Sequence, residues 1–193
     1  MPESVDVIVL GAGHYVTGTH PLAQDVITDK DHGVVLPSLL QLRKSGEVGE
    51  ISLISRNLQK LASVRNRLQS HPLVEDVDLS FRAIANSSLT TGIDEAIGAT
   101  RSSCVAIIAL PDHLHKEAML ACIDRNLPFL VLKPAVTTLA DFYEVEERLP
   151  SDLVAMVDYH KIYDQANLLI RDAVINGDIG SLQFVSSVMS QQA

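Results

Sequence analysis

Tryptophan is absent from this chain, and aromatic residues make up only 4% of its 193 positions. The apolar content, 47% of the chain, is therefore carried by Leu, Val, Ile and Ala, the composition of an α/β core. Basic residues are also few. Fifteen Lys and Arg against 24 Asp and Glu leave a formal charge of −9, and the cations are scattered. That excludes a nucleic-acid footprint and attraction to an anionic membrane surface. Only two cysteines occur, Cys104 and Cys122. Both lie in apolar surroundings, with neither a CxxC pair nor a spacing that suits metal ligands, and they read as reduced core residues. Long apolar runs are missing too. Asp6 interrupts the first one, which is too short for a spanning helix or a signal peptide; the expectation is a cytoplasmic protein with no membrane partner. Internal repeats and low-complexity linkers are absent. The length suits one full domain, or one domain and part of a second.

What is present begins with Val5-Asp6-Val7-Ile8-Val9-Leu10 running into Gly11-Ala12-Gly13. Five of the first six residues are β-branched or leucine, the pattern of a strand buried on both faces of a parallel sheet. Two glycines directly after it permit a tight turn and let a pyrophosphate approach without meeting a Cβ. Nineteen residues then intervene, His14 to His32, rich in His, Thr, Gly and Asp. A dinucleotide fold starts its first helix right after the glycine turn, so this stretch reads as an insertion beside the pyrophosphate. A helix is expected from about Val34 to Lys44, on the apolar face of Leu36, Leu39, Leu40 and Leu42.

Alternation continues along the chain. Strands are expected at Ile51–Ser55, Val77–Ile84, Cys104–Leu110, Phe129–Leu132 and Leu153–Val157. Helices are expected on Leu58, Leu61, Val64 and Leu68 after an Asn57 cap, around Ile93–Ile97, and over His113–Arg125, Leu139–Arg148 and Gln165–Ile175. The last ends at Asn176-Gly177, a left-handed cap signal. Six strands alternating with helices imply an α/β fold: a doubly wound, mainly parallel Rossmann sheet over residues 1–160. Residues 161–193 read as a connecting helix and the first strand, Leu182–Met189, of an incomplete second domain. Unpaired, that strand is an aggregation hazard. Either the chain belongs to a longer protein, or the strand pairs with a second copy in a homo-oligomer.

The chemistry gathers at strand ends. Gly11, Ala12, Gly13, His14 and Tyr15 are the candidate phosphate contacts. The third glycine of the usual fingerprint is missing at its normal spacing, and Gly33, at the start of the next helix, is the candidate for close helix–strand packing. Ser55-Arg56-Asn57 closes strand two without a carboxylate. NAD selectivity rests on such a carboxylate, whereas a guanidinium pairs with a phosphate; NADP is therefore expected over NAD. Leu110, Pro111, Asp112 and His115 follow strand four and fall against the nicotinamide half. Lys133-Pro134 ends strand five, where an ammonium reaches into the crevice and polarises a substrate hydroxyl. Asp158, Tyr159, His160 and Lys161 add polar groups to the same rim, with Tyr159 and His160 as further substrate contacts.

Taken together, Val7–Gly13, Ala109-Leu110-Pro111-Asp112-x-x-His115, Lys133-Pro134, Val157–Lys161 and Asn176–Leu182 resemble, in order and spacing, the Gfo/Idh/MocA family of NAD(P)-dependent oxidoreductases. The resemblance runs over nearly the whole chain. It implies hydride exchange between nicotinamide and a sugar or cyclitol carbon, and a lysine, here Lys133, that contacts cofactor and substrate. It also implies departures. Leu132 stands where the family has Glu, and the family's Asp and His from its second domain are not in these residues. The expectation is an oxidoreductase module that binds cofactor and turns over little or nothing alone. The alternative is a non-catalytic NAD(P)-binding sensor, with a transferase or other nucleotide binder as a third reading, since fold does not set function.

Overall fold

A computed structural model describes residues 4–18, 33–56, 64, 81–85, 88–100 and 103–188. The chain divides into two compact units, residues 1–158 and 159–193. The first is a six-stranded sheet in the order β3-β2-β1-β4-β5-β6, with every neighbouring pair parallel. Its strands are β1 (Val5–Leu10), β2 (Val48–Ser55), β3 (Arg82–Ala85), β4 (Cys104–Ile108), β5 (Phe129–Leu132) and β6 (Ala155–Asp158). Its helices are α1 (His14–Thr17), α2 (Val35–Lys44), α3 (Leu89–Ala99), α4 (His115–Ile123, after a 3-10 turn at Asp112–Leu114) and α5 (Leu139–Arg148). This is the doubly wound arrangement that the alternation implied. The expected helix on Leu58 to Leu68 falls outside the described residues except for Val64, which is buried. So does the first part of the expected third strand.

Period-two geometry explains why β1 is apolar throughout. Ile8 and Leu10 join Ile84, Ile93, Ile108 and Phe129 in one core. Val7 and Val9 point the other way and join Leu36, Leu40, Ile51 and Leu53. Cys122 is buried and Cys104 half-buried, both as free thiols. Asp6, the charge within this run, is itself buried. Its Oδ1 accepts the Glu50 N–H at 2.7 Å, where the β1–β2 register shifts between Val5 and Val7. The carboxylate thus satisfies backbone freed by the irregularity.

The first helix differs from expectation. One turn, α1, forms immediately after Gly13 rather than after the nineteen-residue stretch. In a continuous helix the Tyr15 carbonyl would receive an N–H from four residues on. Here the Val34 N–H supplies that bond at 2.7 Å, and α2 follows directly. The chain therefore leaves the helix after one turn and rejoins it; residues 19–32 lie outside the described residues. Gly33 makes the return possible. Its φ is +73°, and a Cβ there would lie 2.6 Å from the Val16 carbonyl oxygen and 2.7 Å from the Gly18 nitrogen. Its close approach is to the α1 backbone, not to a strand. The position three after Gly13 is Val16, fully buried.

In the second unit, a 3-10 turn at His160–Tyr163 leads into α6 (Gln165–Ile175), capped by the Asp164 carboxylate on the Ala166 N–H at 3.0 Å. Gly177, at φ +76°, takes the left-handed conformation after it. Residues 182–188 form no strand. Leu182, Phe184, Val185 and Val188 are exposed instead. A strand exists through ladder bonds to a neighbour, and the described residues of this unit offer a turn and a helix but no partner strand.

Candidate functional site at the carboxyl ends of the strands

The strand order reverses between β1 and β4, the place where open α/β sheets bind ligands. Gly11 sits in that seam. Its N–H donates to the Ile54 carbonyl of β2 at 3.0 Å, while the neighbouring Ala109 N–H donates to Leu10 at 2.9 Å. Gly11 has φ +112°, and a Cβ there would lie 2.4 Å from the Ala109 carbonyl oxygen. Both its backbone angle and its surroundings require glycine. Gly13 is different. It precedes α1 with φ −71°, and a Cβ built on it meets nothing within 4 Å. The first glycine closes the turn, and the second faces open space that suits an approaching phosphate. Ala12 is buried between them; His14 and Tyr15 are half-buried on α1. The Thr17 hydroxyl donates to the Gly13 and Ala12 carbonyls at 3.1 and 3.3 Å, bracing the turn.

At the end of β2, Ser55 is half-buried and Arg56 exposed; Asn57 lies outside the described residues. At the end of β4, Leu110 is half-buried, and Pro111 and Asp112 are exposed. Lys133 is exposed at the end of β5, and the Lys133–Pro134 peptide is cis. His115, expected among the cofactor contacts, is fully buried. Its Nδ1 lies 2.8 Å from the Pro134 carbonyl and its Nε2 2.8 Å from the Leu110 carbonyl.

Asp158 closes β6 opposite Leu132, its register partner. Burial, and next the Asp158 carboxylate, push the Tyr15 phenol above its usual value. At neutral pH Tyr15 is therefore a neutral hydroxyl, a donor rather than a base. This Tyr15–Asp158 relation joins two residues far apart in sequence, and no local pattern announces it. Tyr159 and His160 belong to the second unit, where both are exposed. Within the first unit the site thus assembles Gly11, Gly13, Ser55 and Arg56 on one side of the seam. Leu110, Pro111, Lys133 and Asp158 stand on the other.

No family model and no curated protein matches the sequence. Solved structures do share the fold. Myo-inositol 2-dehydrogenase from Lactobacillus plantarum superposes with a TM-score of 0.64 at 16% identity, over 92% of this chain and 42% of its own. Scyllo-inositol dehydrogenase from Lactobacillus casei, solved with NAD(H) and scyllo-inositol, gives 0.62 at 10%, over 92% and 42%. An oxidoreductase from Agrobacterium radiobacter, in complex with NAD+, L-tartaric acid and magnesium, gives 0.62 at 13%, again over 92% and 42%. These neighbours are of the type that the sequence resemblance named. The chain spans less than half the length of each. No helix among the described residues is long and apolar enough to cross a membrane.

Proposed function

We propose that this chain is the nicotinamide-dinucleotide-binding part of an oxidoreductase of the Gfo/Idh/MocA type, acting on a hydroxyl carbon of a sugar or cyclitol. The observation that carries the reading is the pair of glycines in the β1–β4 seam. Gly11 is forced by the Ala109 carbonyl, and Gly13 opens onto space. A tight turn followed by unobstructed backbone is what a pyrophosphate needs. When bound, the nicotinamide supplies the hydride exchange. The chain's own residues bind and orient. Gly11 to Tyr15 hold the pyrophosphate, and Leu110 to Asp112 border the nicotinamide. Lys133 donates to a substrate hydroxyl oxygen and polarises it. The inositol dehydrogenases among the structural neighbours support a polyhydroxylated substrate.

The cofactor is NADP in preference to NAD. The end of β2 presents Ser55 and the exposed Arg56, which suit a 2′-phosphate, and the described residues Ser55 and Arg56 place no carboxylate there for ribose hydroxyls. Fluorescence titration of the chain with NADPH and NADH tests both statements. NADPH binds about tenfold more tightly or better, about 1.4 kcal/mol, and Arg56→Ala removes the difference. Binding of neither nucleotide overturns the functional reading; tighter NADH binding overturns the preference alone.

One observation favours a second reading, a nucleotide-binding sensor. The residue before Lys133 is Leu132, half-buried and without a charge to hold the ammonium. Cofactor binding without turnover of any sugar or cyclitol by the longest form of the protein would select it.

A further inference from the structure

The turn that carries Lys133 packs Ala135 and Val136 against the core and makes few polar contacts. Lys133 and Pro134 are both exposed. Beyond the β5–β6 ladder, whose last pair joins Leu132 to Asp158, the contact between Pro134 and His115 is the only hydrogen bond made by residues 133–137 among the described residues. The other carbonyl on the ring, that of Leu110, is in a better-anchored segment. The Ala109 N–H before it donates to Leu10 at 2.9 Å, and the Leu114 N–H after it donates to Pro111 at 2.8 Å. His115 itself is buried, 1% exposed, at the start of α4.

We propose that His115 is a positioning residue for Lys133: its Nδ1 ties the turn after β5 to the fixed end of β4. A carbonyl oxygen only accepts, and an imidazole carries a single N–H in each of its two neutral tautomers, so the tether takes the tautomer with the proton on Nδ1, facing Pro134. The two contacts are not equivalent. The Leu110 contact joins two segments that are already held, whereas the Pro134 contact adds a polar tie to a turn otherwise held by Ala135 and Val136 against the core. The consequence for substrate rests on the reading of Lys133 above; the tether does not.

Asparagine and glutamine separate the two contacts. The Asn amide nitrogen falls near Nδ1 of the histidine it replaces, and the Gln amide nitrogen near Nε2. His115→Asn therefore keeps the donor to Pro134, and His115→Gln moves it to the Leu110 side. Backbone 15N relaxation on the full chain reads the turn directly. Order parameters of Lys133, Ala135 and Val136 stay near about 0.85 in wild type and His115→Asn, and fall below about 0.6 in His115→Gln. NADPH titration reads the same variants functionally, with His115→Asn within about twofold of wild type and His115→Gln about tenfold weaker. A residue that merely fills space would treat the two variants alike. Equal order in both variants, or order kept only by His115→Gln, overturns the tether. If wild type binds no NADPH, the functional reading fails, and the relaxation data alone decide this one. His115→Ala is not needed, so a folding failure there changes nothing.

Discussion

The centre of the sheet and its β6 edge are made of similar residues put to different use. In β1, every residue from Asp6 to Leu10 is buried, and apolar cores cover both faces. At the other end, α5 has no buried residue, and Leu139, Phe142 and Met156 are exposed at 73%, 46% and 49%. Between α5 and the sheet lies a cavity of about 260 Å³, lined by Met119, Phe129, Val131, Val145, Leu149 and Ala155 among others. The centre is limited by clashes and the edge by loose packing. Close packing suffices to place the glycine turn to a fraction of an ångström. Lys133 itself is exposed, on a turn that packs Ala135 and Val136 against the core and brings the Pro134 carbonyl to His115 of α4.

The sharpest way to break this contrast is at the two glycines, and it carries the largest expected effect. Gly11→Ala puts a Cβ 2.4 Å from a main-chain oxygen at φ +112°. Strain and overpacking together cost about 3–5 kcal/mol, which lowers the thermal midpoint by about 10 °C. Gly13→Ala, at φ −71° and with open space around it, changes stability by less than about 0.5 kcal/mol. It nonetheless weakens NADPH binding about tenfold or more, because the new methyl occupies the phosphate's path. Calorimetry and cofactor titration check the pair. A stable Gly11→Ala variant would show that the seam yields; a Gly13→Ala variant with wild-type affinity would place the pyrophosphate elsewhere.

A middle-sized effect tests the centre by pH. Burial, opposed by the nearby Arg125, pushes the Cys122 thiol from 9.0 up to about 12. A raised pKa means the folded state holds its proton while the unfolded state gives it up. The contribution is therefore fully present below pH 9.0 and is lost as pH climbs towards about 12. By pH 10 the loss is about 1.4 kcal/mol. Urea unfolding at pH 8 and pH 10 measures it, and Cys122→Ala flattens that part of the profile. An unchanged slope in Cys122→Ala would mean another group governs alkaline stability.

Legibility in the sequence follows the same division between local and distant causes. β5, α5 and α6 coincide with the expected spans, residue for residue, because their signals are local. Phe129-Leu130-Val131-Leu132 is a plain apolar run, and Thr138 and Asp164 cap the helices behind them. The seam itself was visible as glycines after a buried strand. The misses all needed a partner from elsewhere. α1 counts as a helical turn continued by α2 only because Val34 returns to Tyr15. Asp6 looked like an interruption until Glu50 supplied its N–H. His115, read as a ligand contact, is buried with a carbonyl 2.8 Å from each ring nitrogen. Leu182 to Val188 has the composition of a strand and, among the described residues of its unit, no partner strand.

The smallest effect is a reversal of sign. Ala106 on β4 and Ala155 on β6 are both strand alanines of one core: Ala106 is 0% exposed, and Ala155 packs against its border beside the cavity. Alanine to valine adds two methyl-sized carbons and raises strand preference at both sites. At Ala106 there is no room, so the extra volume forces neighbours aside and costs about 1–3 kcal/mol. At Ala155 the same carbons enter the cavity under α5 and find partners, a gain of about 0.5 kcal/mol. Denaturant midpoints of the two single variants make the comparison within one protein. If Ala155→Val also destabilises, the β6 edge is as tightly packed as the centre, and the contrast between the two fails.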